Sequence, residues 1–522
     1  MSDSFARVNG PVLQQDQQYT FIAEIPKVGA NDCPERRALF FAEAGRETSY
    51  AKLEAQTNAF ARYLQSQGLQ AGQRIAYLGM NNDDFFSVLF GAIRSSVVLV
   101  PLNWRLTAPE IAYQLQDSES VLLIHDAALD TLANQACESL PHMQYLTVED
   151  LRGILEKEGG SVAVPRDPAE VILQMYTSGT TGKPKGTLIT HGGLSIARQA
   201  ELESREMAHY RTGASSLSAM PNFHIGGMSW VIMGLIRKGS VVISADPSPG
   251  NMLDLLRQHE AKHSFIVPTV LRAVVADIEE NGGDVPRMDG IYYGAMPIGE
   301  SLLEKIREVF NCPLLQFFGM TENTGSATFL GPEDHDPARP KLLKSVGKPY
   351  PGMSLEIRDP QGHVVAPGVN GEIWIQSPTL MAGYWKLPEA TEKAVVDGWY
   401  ASGDGGYLDE EGYLFLTDRI KDMIVSGGEN VYPAEVEEAL RQCDGVLDAA
   451  VIGFKDDKWG ERVVALVELK PEAQLGSDDL MAQCRTRLAS YKCPKEIKFG
   501  SLPRTASGKV QRAEVRARYA DL

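Results

Sequence analysis

Residues Tyr176 to Gly186 read YTSGTTGKPKG and follow an apolar run, Val171 to Met175, that reads as a buried strand. A strand that empties into such a loop restricts the fold more than any other stretch of this chain. Glycine bends the backbone through positive φ and lets it approach a ligand closely. Successive N–H groups in a loop of this kind form an anion-binding concavity. Thr177, Ser178, Thr180 and Thr181 add hydroxyl donors, and Lys183 and Lys185 add cations, around Gly179 and Gly182. No side chain in the stretch is an anionic acceptor, so the ligand it suits is a polyphosphate. The Walker A pattern needs Ser or Thr after Gly-Lys, and here Gly182-Lys183 is followed by Pro184.

Upstream, strand-like runs alternate with helix-period runs. Tyr50 to Gln67 has helical spacing, Arg74 to Leu78 is a short strand, Asn82 to Arg94 a helix and Val97 to Val100 the next strand. Thr107-Ala-Pro-Glu110 is a capping box with proline early in the helix, and Val121 to Ile124 is another strand. Downstream, Ser216–Met220, Val241–Ser244, Ser264–Val267, Gly290–Tyr293 and Leu314–Phe317 continue the theme. The fold class is therefore α/β, with doubly wound parallel sheets. From about Ser345 the chain turns to Gly, Pro and alternating residues, as in Glu372-Ile-Trp-Ile375, which reads as a distorted β-barrel. After Thr417-Asp-Arg-Ile-Lys421 about 100 residues form a compact α+β lid. The expected domains are 1–418, with sheets to about 344 and barrel from about 345, a hinge at 419–421, and a mobile lid at 422–522.

At 522 residues more than one core is expected. The net charge of −18 argues against a nucleic-acid binder but leaves local lysines free to hold ATP or coenzyme A. Six scattered cysteines form no C-x-x-C pair, which fits a reduced, cytoplasmic setting. The N-terminus has no secretory pattern. The most apolar stretch, Ser87 to Trp104, is interrupted by Arg94 and Pro101 and falls short of a bilayer span; a peripheral membrane contact stays open.

Several short segments carry further chemistry. His224 lies in Pro221-Asn-Phe-His-Ile-Gly-Gly-Met228; taken alone it is a packed or capping histidine. Gly294-Ala295-Met-Pro297 joins a strand to a helix. Phe317-Phe318-Gly319-Met-Thr321-Glu322 ends another strand, and a carboxylate there suits a hard cation shared with phosphates. Tyr400-Ala-Ser-Gly-Asp404 offers a two-oxygen acceptor. Arg419 and Lys421 stand at the compositional boundary. Ser426-Gly427-Gly428-Glu-Asn430 follows an apolar strand, Trp459 lies in Lys-Trp-Gly-Glu461, and Pro503-Arg-Thr-Ala-Ser-Gly-Lys509 lies near the end.

In their order and spacing, from about Glu47 to Arg512, these segments resemble the acyl-CoA synthetases of the adenylate-forming superfamily. The resemblance implies an AMP-forming acid–thiol ligase using ATP, Mg²⁺ and coenzyme A. It implies that residues 177–185 hold the β- and γ-phosphates. Gly294, Ala295, Phe318 and Gly319 would pack around adenine, with Phe318 standing where Tyr is common. Thr321 would donate to phosphate and substrate carboxylate, Glu322 would hold Mg²⁺, and Asp404 and Arg419 would bind the ribose. His224 would wall the acid pocket, lined beyond it by Ile225, Gly226, Gly227, Met228 and Trp230. Lys421 would be the hinge, Gly427, Gly428 and Trp459 would flank pantetheine, and Lys509 would serve adenylation. The small, apolar tunnel implies a medium- or long-chain fatty acid, with an aryl acid as the alternative. A carrier protein loaded in trans is a second alternative, since too few residues follow Lys509 for a carrier domain. A homodimer is a family-level expectation.

Overall fold

The computed structural model describes residues 6–12, 21–177, 183–296, 298–419, 422, 424–426, 429–431, 433–456, 460–485, 487–488, 492–504 and 509–521. The chain divides into two compact units, Asn9–Ser354 with Ile375–Tyr400, and Leu355–Trp374 with Ala401–Leu522 and the N-terminal residues to Val8.

The larger unit is built on two sheets. In the seven-stranded sheet the order is Gly383–Tyr384, Lys185–Thr190, Val171–Thr177, Val98–Leu102, Arg74–Leu78, Ser120–His125, Gln144–Thr147. Its last five strands run parallel, as the alternating pattern requires, while the first three pair antiparallel. The nine-stranded sheet is parallel from Arg37–Phe41 through Ser240–Ile243, Ser215–Ser218, His263–Phe265 and Gly290–Gly294 to Leu314–Met320, with antiparallel strands at both edges. Antiparallel neighbours can be joined by a hairpin, as in Val171–Thr177 with Lys185–Thr190 and Leu314–Met320 with Gly325–Leu330.

Local signals set the helices between the strands. Ser49 caps Tyr50–Ser66 by accepting from the Lys52 N–H at 3.2 Å. The capping box at Ala108–Ser118 forms, with the Glu110 carboxylate accepting from the Thr107 N–H at 2.8 Å. Asp84–Arg94 is buried along its whole length, the signature of a helix enclosed by other layers. One continuous core joins it to both sheets through Leu39, Ile75, Leu99, Val231, Val241 and Ile243.

The smaller unit carries two sheets. One orders Arg7–Asn9, Ser354–Arg358, Gly371–Gln376 and Trp399–Leu408, with Leu414–Arg419 pairing antiparallel to the last. In the other, Val446–Asp456 pairs antiparallel with Gly460–Leu469, which takes Glu496–Phe499 in parallel. Side chains alternate across it. Ala449, Val451, Val463 and Ala465 meet the helices Pro433–Arg441 and Ser477–Arg485 through Val436, Leu440 and Leu480. Ala450, Ile452 and Val464 meet Val515 and Tyr519 of the last helix, Arg512–Asp521. Both faces are thus covered, giving the C-terminal α+β part its own core. No described helix is long and apolar enough to cross a membrane.

Buried histidines, His191 and His335 among them, make the larger unit acid-sensitive. His191 accepts from the Ala23 N–H at 3.4 Å, and His335 lies 2.8 Å from the Tyr293 hydroxyl and 2.7 Å from the Gly331 carbonyl. Burial lowers each imidazole to about 4 from an ordinary 6.5. The unfolded chain therefore binds more protons between pH 6.5 and 4. The contribution of each histidine is complete above that window and is lost as pH drops through it, by roughly 3 kcal/mol apiece. Urea midpoints measured from pH 7 to pH 4 should fall accordingly. His335→Asn, which cannot titrate there, should show a flatter profile.

Candidate active site

Two hairpins of the larger unit place the central groups. The first is Val171–Thr177 with Lys185–Thr190, in register from Val171 opposite Thr190 to Thr177 opposite Lys185. The glycine-rich stretch is therefore the connection of an antiparallel hairpin rather than a strand-to-helix turn. Ser178, Gly179, Thr180, Thr181 and Gly182 lie outside the described residues. Its two ends are fixed by neighbours. The Tyr113 hydroxyl donates to the Pro184 carbonyl at 3.1 Å, and the Trp385 N–H donates to Gly186 O at 2.7 Å. Lys183 Nζ lies 5.4 Å from the Tyr113 ring centre, and Lys185 Nζ 4.1 Å from that of Tyr384.

The second hairpin is Leu314–Met320 with Gly325–Leu330, and its tip is Thr321-Glu322-Asn323-Thr324. A bulge between Phe318 and Gly319 turns the strand just before the tip. Thr324 takes the left-handed conformation, with φ of 56°. Thr379 locks the tip by donating to Asn323 O at 3.0 Å and accepting from Thr324 Oγ1 at 2.5 Å, and Met381 N–H donates to Glu322 O at 2.8 Å.

The hairpins meet at one carboxylate. Glu322 is 9% exposed, and its Oε1 accepts from Thr177 Oγ1 at 3.0 Å and from the Tyr384 hydroxyl at 3.1 Å. Burial, and then the Glu322 charge, hold the Tyr384 phenol far above its ordinary range, so it stays a donor. Both hydroxyls use one oxygen of Glu322, which orients the carboxylate and leaves Oε2 to a further partner. A hard divalent cation takes such an oxygen together with phosphate oxygens and water, and the donor set fits Mg²⁺ in that way. Among the described residues no three His, Cys, Asp or Glu converge into an all-protein metal cage.

The wall beside this tip depends on glycine. A Cβ on Gly319 would collide with the Gly325 backbone carbonyl, and one on Gly294 with that of Phe317. Ala295, next along, holds φ of 66°. Gly319→Ala should force the hairpin apart, costing about 1–3 kcal/mol and displacing Thr321 and Glu322. A thermal melt and pyrophosphate release should both fall; an unchanged melt with wild-type turnover would contradict the packing.

The model of the AMP-binding enzymes matches residues 27–385, and that of their C-terminal domain residues 435–509. The chain belongs to the AMP-binding enzymes. A fatty acid–[acyl-carrier-protein] ligase, ScoC of Streptomyces coeruleorubidus, is 37% identical over 91% of this chain and 92% of its own. Feruloyl-CoA synthase of an Amycolatopsis species is 35% identical over 94% and 99%. Among solved structures, o-succinylbenzoate CoA synthetase (MenE) of Bacillus subtilis with the acyl-adenylate OSB-AMP has a TM-score of 0.84 at 31% identity, covering 94% of this chain and 98% of MenE. The same enzyme with ATP and magnesium ion gives 0.83 at 30% identity over 94% and 99%. This AMP-binding enzyme is an adenylate-forming acid–thiol ligase with the α/β fold of that superfamily.

The remaining expected residues of the AMP-binding enzyme fall as follows. His224 is exposed at the start of helix Ile225–Ile236, its ring 4.6 Å from that of Phe223 and its side chain making no cap bond. Gly226 is half-buried beside Phe265, while Met228 and Trp230 are buried, at 0% and 4%. In the smaller unit Asp404 stands half-buried, directly opposite Arg419 in the ladder. Its N–H donates to Ser402 Oγ at 3.1 Å, and Ser402 donates to Ile373 O at 2.7 Å. Lys509 is exposed, next to the bridge of Arg504 with Val510 that closes its loop. Lys421, Gly427, Gly428 and Trp459 lie outside the described residues. Tyr384 is not expected from the sequence; within Met381-Ala-Gly-Tyr-Trp385 nothing local announces that its hydroxyl reaches Glu322.

Proposed function

We propose that this ligase activates a medium- or long-chain fatty acid with ATP and then passes the acyl group to coenzyme A. The observation that carries the reading is the convergence of Thr177, Tyr384 and Glu322 at the ends of two hairpins. A carboxylate oxygen attacks the α-phosphorus of ATP, an O–P bond forms, and pyrophosphate leaves with the electrons of the bond that breaks. Two anions must meet, so positive charge and aligned donors are what the protein has to provide. Lys183 and Lys185 neutralise the departing phosphates. Thr321 donates to the phosphate, and the phenol of Tyr384 with Thr177 keeps the Glu322 carboxylate turned toward the metal position. A bound Mg²⁺ would supply Lewis-acid neutralisation of the phosphate oxygens there. Lys509 adds its charge to the carboxylate and α-phosphate. His224 walls the acid pocket, Gly294, Ala295, Phe318 and Gly319 the adenine, and Asp404 with Arg419 the ribose.

In the second step the thiol sulfur attacks the acyl carbon and AMP departs as a stable anion. We assign Lys421 as the pivot that exchanges Lys509 for Gly427, Gly428 and Trp459 along the pantetheine. The cytoplasm, where all three substrates occur together, is the proposed setting. The 37% identity to a carrier-protein ligase favours one second reading, transfer to a carrier thiol in trans, and the feruloyl relative supports the aryl alternative. Pyrophosphate release across saturated C6–C18 acids and hydroxycinnamates, followed by thioester formation with coenzyme A or a holo-carrier, separates them. Absence of acyl-AMP from every acid would end the proposal.

A further inference from the structure

The two faces of the nine-stranded sheet treat polar atoms differently. Its register sets Ser216 opposite His263, His263 opposite Gly290, Phe265 opposite Tyr292, Tyr292 opposite Leu315 and Gly294 opposite Phe317, all on one face. The intervening Leu217, Ser264, Ile291 and Tyr293 occupy the other. On that other face Ser264 donates to Leu217 O at 3.1 Å and the Tyr293 hydroxyl meets His335 at 2.8 Å, while Ser215 Oγ at the strand's start has no partner among the described residues. On the first face more polar atoms go unpaired. The Tyr292 hydroxyl, both ring nitrogens of His263, Ser218 Oγ, and Ser229 Oγ on the covering helix have no hydrogen-bond partner among the described residues. Tyr292, His263 and Ser218 are nonetheless 0% exposed.

Each unpaired buried group costs about 1–3 kcal/mol, and a face that only packed would hold Leu, Val or Phe. The groups also converge. A Cβ on Gly290 would lie 3.3 Å from the Tyr292 ring and 3.5 Å from both His263 Nδ1 and the Tyr292 hydroxyl, so both polar groups face the side that the glycine leaves without a side chain. The face begins at the reacting end of the molecule. Phe317 precedes Phe318, Gly319 and the Thr321-Glu322 tip. Its ring centre is 5.8 Å from that of Tyr292, which is 5.9 Å from His263. From Gly294 to Gly290 the strand covers roughly 13 Å, the reach of a tail rather than of a small acid. Burial holds the His263 imidazole neutral, at about 4, so one of its nitrogens donates and the other accepts.

We propose that this face forms the inner end of the acid pocket and binds a hydroxyl at the far end of the acid, with Tyr292 and His263 as its partners. A hydroxyl both gives and takes one hydrogen bond, which matches a phenol beside a neutral imidazole. The inference rests on the adenylate-forming reading above and narrows its substrate class from plain to hydroxylated tails.

The test compares pyrophosphate release with matched acids: octanoate, decanoate and dodecanoate, their ω-hydroxy forms, the corresponding dicarboxylates, and cinnamate against 4-hydroxycinnamate. At one or more lengths the hydroxylated acid should exceed its plain partner in kcat/KM by about tenfold or more, since the plain acid leaves these groups unpaired. Tyr292→Phe should lower that ratio about tenfold, through a larger loss of kcat/KM for the hydroxylated acid than for the plain one. Gly290→Ala, which sets a methyl against the two groups, should lower the ratio as well, with thermal melts showing that both variants fold. Equal or better use of plain acids, a preference for dicarboxylates, or a ratio untouched by Tyr292→Phe would overturn the inference. The last result would make the face a site for ordered water. Failure with every acid would instead strike the adenylation reading itself.

Discussion

Lys509→Ala should lose acyl-adenylate formation almost completely while still converting a supplied acyl-adenylate to its thioester. Removing one preorganised charge from a site where two anions couple costs on the order of 3–4 kcal/mol, or about 10²–10³-fold in rate. Only the first half-reaction couples two anions. In the second a thiol attacks an already activated carbonyl, and AMP needs no further cation to leave. The substitution should spare the fold, because Lys509 is exposed on a loop tied by the Arg504–Val510 bridge and by the Gln511 N–H to Pro503 O bond of 2.9 Å. Pyrophosphate release measures the first half, and thioester yield from synthetic acyl-AMP the second. Equal impairment of both halves would remove Lys509 from its assigned role.

Glu322→Gln should be nearly as costly in rate and almost silent in stability. The amide oxygen of glutamine can still accept from Thr177 and Tyr384, the two bonds that Oε1 makes now. The hairpin tip keeps its Thr379 and Met381 anchors, which use backbone atoms of Glu322 and Asn323 and the Thr324 side chain. What disappears is the negative charge of the one protein ligand proposed for the hard cation. Pyrophosphate release should drop about 10²-fold or more, and the Mg²⁺ concentration for half-maximal rate should rise. A melting temperature close to wild type would show that the charge, not the packing, was lost. A variant with unchanged magnesium dependence would mean that the cation is held elsewhere.

The parts of this molecule that depend on near neighbours in the chain are legible from residue order alone. Strand Val171–Thr177, the capping box at Thr107, helix Tyr50–Ser66 and the C-terminal strand Val446–Asp456 each follow from spacing and capping within a few residues. Parallel sheets follow from alternation. What spacing does not reveal is pairing across the chain. The phosphate stretch reads as the end of a strand, yet its partner is the very next segment, Lys185–Thr190, and the pair form a hairpin. Tyr384 joins that hairpin as a third, two-residue strand, too short to leave a periodic trace. Nothing in the local spacing of Ser216, Ser218 and His263 announces a shared face. Only the register with Gly290 and Tyr292 turns them into one enclosed face.

The hydrogen bond from Thr177 to Glu322 has a thermodynamic corollary. Thr177 ends the strand that feeds the proposed nucleotide loop, and Glu322 is the anchor proposed for the cation, so binding at either locus would bias the other. Such coupling is reciprocal: whatever factor nucleotide adds to cation affinity, the cation must return in full. Thr177→Val would cut that link while leaving each locus its remaining contacts, and calorimetric titrations run in either order would then approach independence.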